Sequence, residues 1–101
     1  MAQLERGLTL LDLQARREEI LQIAAHCGAS NVRVFGSVAR GEADADSDID
    51  FLVEMEPGRS ALDISELILD LQEALGRSVD VIQVRRPSTL AERIRRQAVP
   101  L

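Results

Sequence analysis

Apolar residues recur along this chain first at helical spacing, then at strand spacing, and the two periods go on alternating to its end. Between Leu8 and Cys27 the positions Leu13, Ile20, Ile23, Ala24 and Cys27 include the intervals of three, four and seven that mark one face of an amphipathic helix. Arg16, Arg17, Glu18 and Glu19 fall on its wet side, and Gly28 is the expected stop. Asn31 to Phe35 is short and rich in β-branched residues, which predicts a first strand. A turn and a short helix over Ser37 to Arg40, closed by Gly41, follow it. Glu42 to Asp46 reads as a solvated acidic loop.

The next two strands carry the most informative pattern. Side chains two apart in a strand share a face. Over 48–54, Asp48 and Asp50 therefore point one way while Ile49, Phe51 and Val53 point into a core. Over 78–84, Asp80, Ile82 and Val84 share one face and Val79, Val81 and Gln83 the other. Between these strands, Glu56-Pro57-Gly58 is a turn, and Ser60 with Asp63 forms the capping box of a long helix. Its buried stripe is Ile64, Leu67, Ile68, Leu71 and Leu75, and Gly76 ends it. Asp63, Glu66, Asp70 and Glu73 lie on its wet face. A last short helix is expected from Pro87, with Leu90, Ile94 and Ala98 inward and Arg93, Arg95 and Arg96 outward. The order α-β-α-β-α-β-α predicts an α/β fold.

Length narrows this to one domain, 1–101, because 101 residues support a single core and leave no room for a separate substrate-binding domain. No apolar run reaches the length of a membrane span, and MAQLERGLTLLDLQ lacks the pattern of a signal peptide, so the cytoplasm is the expected compartment. One cysteine, Cys27, and one histidine, His26, exclude an internal disulfide and argue against zinc. As helix neighbours they point about 100° apart and cannot form a dyad; a core or cap role is expected for both.

Charge is polarised. Residues 42–73 hold eleven acidic groups against one arginine, whereas 85–96 hold five arginines against one glutamate. A net charge of −5 argues against a nucleic-acid grip, and the arginine cluster suits an acidic protein partner instead. With two phenylalanines and neither tyrosine nor tryptophan, there is little surface on which bases could stack.

The candidate chemistry lies between Val34 and Val53. Two carboxylates on one strand face repel unless a cation lies between them, which suits a hard divalent metal, magnesium foremost. Ahead of them Gly36-Ser37 follows an apolar strand and opens a short helix, where a close backbone approach and a hydroxyl can cradle phosphate. A phosphate cradle beside metal-binding carboxylates is what transfer from a nucleoside triphosphate requires. Asp80, alone, would read as a strand-edge charge; next to the other two elements it reads as a third metal ligand. Arg40 is suited either to a phosphate or to a neighbouring carboxylate.

Glycine-serine, ten intervening residues, Asp48-x-Asp50 and the later Asp80 in Val79-Asp80-Val81, with Arg40-Gly41 and Ser47 inside the pattern, resemble the DNA polymerase β-type nucleotidyltransferase superfamily. The small size and the run GSVARG…SDIDFLV resemble its minimal nucleotidyltransferases, the MNT antitoxins usually encoded beside HEPN-domain toxins. The resemblance covers about residue 12 onward, with a core of about 12–99. It implies a small mixed three-stranded sheet with the Asp48 strand central, and ATP as substrate. It places Gly36 and Ser37 on the β- and γ-phosphates, with Arg40 and Ser47 also among the nucleotide-binding residues. Two magnesium ions would sit on Asp48 and Asp50, and Asp80 on the ion that activates the acceptor. It implies AMP transfer to a tyrosine of a HEPN ribonuclease made by the adjacent gene, within a hetero-oligomer. Neutralisation by binding alone, and adenylylation of a small molecule such as an aminoglycoside, are the competing readings.

Overall fold

The computed structural model describes residues 8–84 and 96–101. The elements run α1 (Leu10–Ala15), α2 (Arg17–His26), β1 (Ala29–Phe35), α3 (Gly36–Arg40), β2 (Ile49–Met55), α4 (Ala61–Leu75), β3 (Val79–Gln83) and β4 (Val99–Pro100). The strands form one mixed sheet in the order β3-β2-β1-β4, with β2 parallel to β3 and β1 antiparallel to both β2 and β4. The α/β class and the interior place of the second strand are as expected. The sheet has one strand more than the pattern predicts. A two-residue strand has too few positions to show a period, and Pro100 lacks the N–H of an ordinary strand residue. Most of the helix expected from Pro87 lies outside the described residues.

The predicted first helix is two helices. Arg16 leaves helical geometry (φ −109°, ψ 19°), and its guanidinium donates to the carbonyl of Ala74 at 2.6 Å, satisfying a carbonyl in the last turn of α4. No glycine or proline marks this break, because its cause lies 58 residues away. The first strand starts two residues early for a similar reason. Asn31 takes a left-handed conformation (φ 51°) at an irregularity between Ser30 and Arg33, so Ala29 and Val32, three apart, are both buried. A bulge of this kind hides the strand's beginning from a two-residue period.

One hydrophobic core fills the space between the sheet and the helices α2 and α4. Ile49, Phe51 and Val53 of β2 enter it with Leu13, Ile20 and Cys27, and α4 adds Leu67, Leu71 and Leu75. Ile64 and Ile68 pack at its edge. The capping box at α4 is formed: Ser60 Oγ accepts from the Leu62 N–H at 3.2 Å, and Asp63 Oδ2 accepts from the Ser60 N–H at 2.8 Å. Ser60→Ala is expected to lower stability by about 1 kcal/mol, read as a lower urea midpoint with an unchanged slope.

Candidate active site

Two pairings of β2 assemble the site. In the antiparallel pair Phe35 lies opposite Asp50, so the chain leaves β1 at Gly36 beside the carboxylate strand. The ten residues between Ser37 and Asp48 complete α3 and form a loop that brings the chain back to the start of β2. In the parallel pair Ile49 stands beside Val79 and Asp50 beside Asp80. Ile49 and Val79 are buried while Asp80 is exposed and Asp50 half-buried, so the alternation puts both carboxylates on the face away from the core. Asp48, exposed, precedes the first residue of β2 rather than lying within it as expected.

Electrostatics ties the three groups together. Partial burial, then the charges of Asp80 and Asp48, push the Asp50 carboxyl above its ordinary range, and Arg40 opposes them. Among the described residues, no hydrogen-bond donor reaches the side chain of Asp48, Asp50 or Asp80. Three acceptor-only oxygen groups that repel one another and meet no hydrogen-bond donor among the described residues fit a hard divalent cation.

Gly36 meets this cluster directly. Its φ is +73°, a left-handed conformation, and a Cβ there would collide with Asp50 Oδ2. The glycine expected to admit a phosphate also admits the Asp50 carboxylate. Ser37 is half-buried in α3, whose five residues are too few for a strong helix dipole, so anion binding would rest on the hydroxyl and individual N–H groups. Gly41 ends α3 with φ 73°.

The remaining candidates have local partners. Arg40 Nε donates to Glu42 Oε2 at 3.1 Å in an exposed pair, consistent with its structural reading, while its charge still bears on Asp50. The Ser47 hydroxyl accepts from the Asp44 N–H at 3.0 Å and donates to Asp44 Oδ1 at 3.1 Å, closing the loop ahead of Asp48. Two residues escaped the sequence reading: Asp44, set aside as part of a solvated loop, and Arg77, which donates to the carbonyl of Ala45 at 2.8 Å. Only the fold brings Arg77 to that loop.

A separate set, Cys27, Glu66 and Asp70, gathers possible ligand atoms within 4.8 Å of one another. It belongs to the C-terminal cap of α2 and to α4, not to the carboxylate face of the sheet. Burial, then Glu66 and Asp70, push the Cys27 thiol up, away from the thiolate a metal needs. His26 is exposed and Cys27 buried, so the two do not form a dyad. No helix of the described residues is long and apolar enough to cross a membrane.

Residues 17–99 match the family model described as a nucleotidyltransferase domain. The chain is 38% identical over 88 residues to the protein adenylyltransferase MntA of Thermococcus cleftensis, covering 86% of each. A solved structure described as a candidate minimal nucleotidyltransferase is 49% identical and superposes with a TM-score of 0.82, over 94% of this chain and 98% of that one. A chain from the complex of tri-AMPylated Shewanella oneidensis HEPN toxin with MNT antitoxin has the same fold, with a TM-score of 0.65 at 23% identity over 86% of this chain and 69% of that one.

Proposed function

The chain belongs to the nucleotidyltransferase domain family and is a nucleotidyltransferase; from that premise we propose that it is an antitoxin that transfers AMP from ATP to a tyrosine hydroxyl of a HEPN-domain toxin and so silences it. The observation that carries the reading is the parallel register of Asp50 with Asp80, with Asp48 at the mouth of the same strand and Gly36 packed against Asp50. Asp48 and Asp50 would hold two magnesium ions, and Asp80 would share the ion on the acceptor side. Ions held there would neutralise charge on the attacking and leaving oxygens and would make the acceptor hydroxyl more acidic.

The chain's own residues do the rest. Gly36 leaves the carboxylates room to converge, and Ser37 offers its hydroxyl to the β- and γ-phosphates. Arg40 and Ser47 border the nucleotide, Ser47 by holding the loop that presents Asp48. The acceptor oxygen attacks the α-phosphorus, diphosphate leaves, and the acceptor proton departs on the side of Asp80. A protein acceptor is supported by the activity named for the Thermococcus relative and by the near absence of aromatic surface. We propose the HEPN partner, a hetero-oligomeric state and the adjacent gene on the likeness to MNT antitoxins. A single domain over 1–101 and a cytoplasmic location complete the reading.

The direct test is incubation with α-labelled ATP, magnesium and the adjacent gene's product. Label on a partner tyrosine is expected; label on nucleic acid or a small molecule would overturn the reading. A binding measurement accompanies it. Because the carboxylates and the phosphates would share the ions, Mg2+ with ATP is expected to raise the melting temperature by more than the two separate shifts added. Ligand at a hundredfold excess over its Kd contributes about 2.7 kcal/mol, which moves a domain of this size by roughly 10–20 °C. Additive shifts would argue against a bridged site.

A further inference from the structure

Asp48 lies outside β2, so the sheet's hydrogen bonds do not by themselves set where its carboxylate points. The pairing between β2 and β3 begins one residue later, with Ile49 beside Val79 and the Ile49 N–H donating to the carbonyl of Ser78 at 2.9 Å. What precedes Asp48 is a small closed turn. Asp44 Oδ1 accepts from the Asp46 N–H at 2.9 Å and from the Ser47 hydroxyl at 3.1 Å, and the Ser47 N–H donates to the carbonyl of Asp44 at 3.2 Å. A turn held this way moves as a unit, and its position relative to the sheet depends on what it is tied to.

Arg77 supplies such a tie. Its Nη1 donates to the carbonyl of Ala45 at 2.8 Å in a half-buried contact across 32 residues of chain. Ala45 is three residues ahead of Asp48, and Arg77 is three ahead of Asp80. Parallel strands start at the same end of a sheet, so the segments entering β2 and β3 are neighbours, and the Arg77 side chain joins them. We propose that Arg77 is a positioning residue: it holds the 44–47 turn against the entry to β3 and thereby sets the Asp48 carboxylate relative to Asp50 and Asp80. The inference rests on the carboxylate face being the metal-binding site. It assigns Arg77 no contact with substrate. A guanidinium is suited to the task, because its fixed fork loses little freedom on binding a carbonyl.

The test compares Arg77→Met, which keeps the stem and removes the donors, Arg77→Lys, which keeps the charge and one donor group, and Asp48→Asn as reference. Mn2+ binding in the presence of a non-hydrolysable ATP analogue is followed by electron paramagnetic resonance, alongside metal-free melting temperature, kcat and KM. Arg77→Met is expected to weaken Mn2+ binding by about tenfold, the scale of one lost hydrogen bond with a charged partner. It should lower kcat by a similar factor with little change in KM for ATP, and Arg77→Lys should restore part of both. If Arg77→Met does not fold, Arg77→Lys carries the test with a smaller loss in the same two quantities. A lower melting temperature with unchanged Mn2+ binding and kcat, while Asp48→Asn loses both, would overturn the positioning role and leave the site reading intact. Unchanged Mn2+ binding in Asp48→Asn would overturn the site reading itself, and the role of Arg77 with it.

Discussion

Asp48→Asn combined with Asp50→Asn is expected to abolish nucleotidyl transfer while leaving a protein at least as stable as the parent without metal. Each replacement keeps the side-chain volume and removes the charge that a divalent ion needs. Metal ligation supplies several kcal/mol of transition-state stabilisation, so the rate should fall by roughly a thousandfold or more. Stability should move the other way, and its pH dependence has a definite sign. Burial, Asp80 and Asp48 raise the Asp50 carboxyl in the folded chain. The folded state therefore binds the proton more tightly than the unfolded chain, where the value is about 3.9. Stability is then lost as pH rises from that unfolded value through the raised folded one. The stabilisation by Asp50→Asn should accordingly be present at neutral pH and vanish in acid, measured as melting temperature in chelator. With the proposed HEPN partner, the double variant should co-purify but neither label nor silence it. Full silencing at equal protein concentration would show that neutralisation is by binding alone.

Gly36→Val is expected to have the second-largest effect, and to act through Asp50. A residue with a Cβ must adopt the left-handed conformation at φ +73°, a penalty of about 1–2 kcal/mol, and its Cβ must also displace the Asp50 carboxylate. Rotating Asp50 away removes it from the face it shares with Asp80, so catalysis should fall much further than stability does. Gly36→Ala should approach the same loss, because the clash begins at Cβ. Ser37→Ala, which removes one hydroxyl, should cost about tenfold in rate or less with little change in stability. Denaturation midpoints and single-turnover rates for the three variants give the order. Equal losses at 36 and 37 would mean that the turn acts as one structural unit and that the Asp50 contact has no special weight.

The features behind these effects differ in how far they are legible in the chain. The orientation of Asp50 and Asp80 away from the core was legible because a strand alternates every second residue, and Ile49, Phe51, Val79 and Val81 declare which side is inward. The stops of α4 were legible for an equally local reason, since Ser60, Asp63 and Gly76 act within one helical turn of themselves. The break at Arg16 and the bulge at Asn31 were not. Neither carries a proline or a glycine, and their partners, the carbonyl of Ala74 and the Glu54 carboxylate that accepts from Asn31 Nδ2 at 2.8 Å, lie far along the chain.

The sequence by itself determined which face Asp50 and Asp80 present and where α4 begins and ends, because strand alternation and cap chemistry are properties of a few consecutive residues. Only the tertiary structure decided that Asp50 stands in register with Asp80, that a Cβ at position 36 would meet Asp50, and that Arg77 grips the turn ahead of Asp48. Each of these is a contact between segments that come together when two strands pair. A period read along one strand carries no information about which residue of another strand will lie beside it.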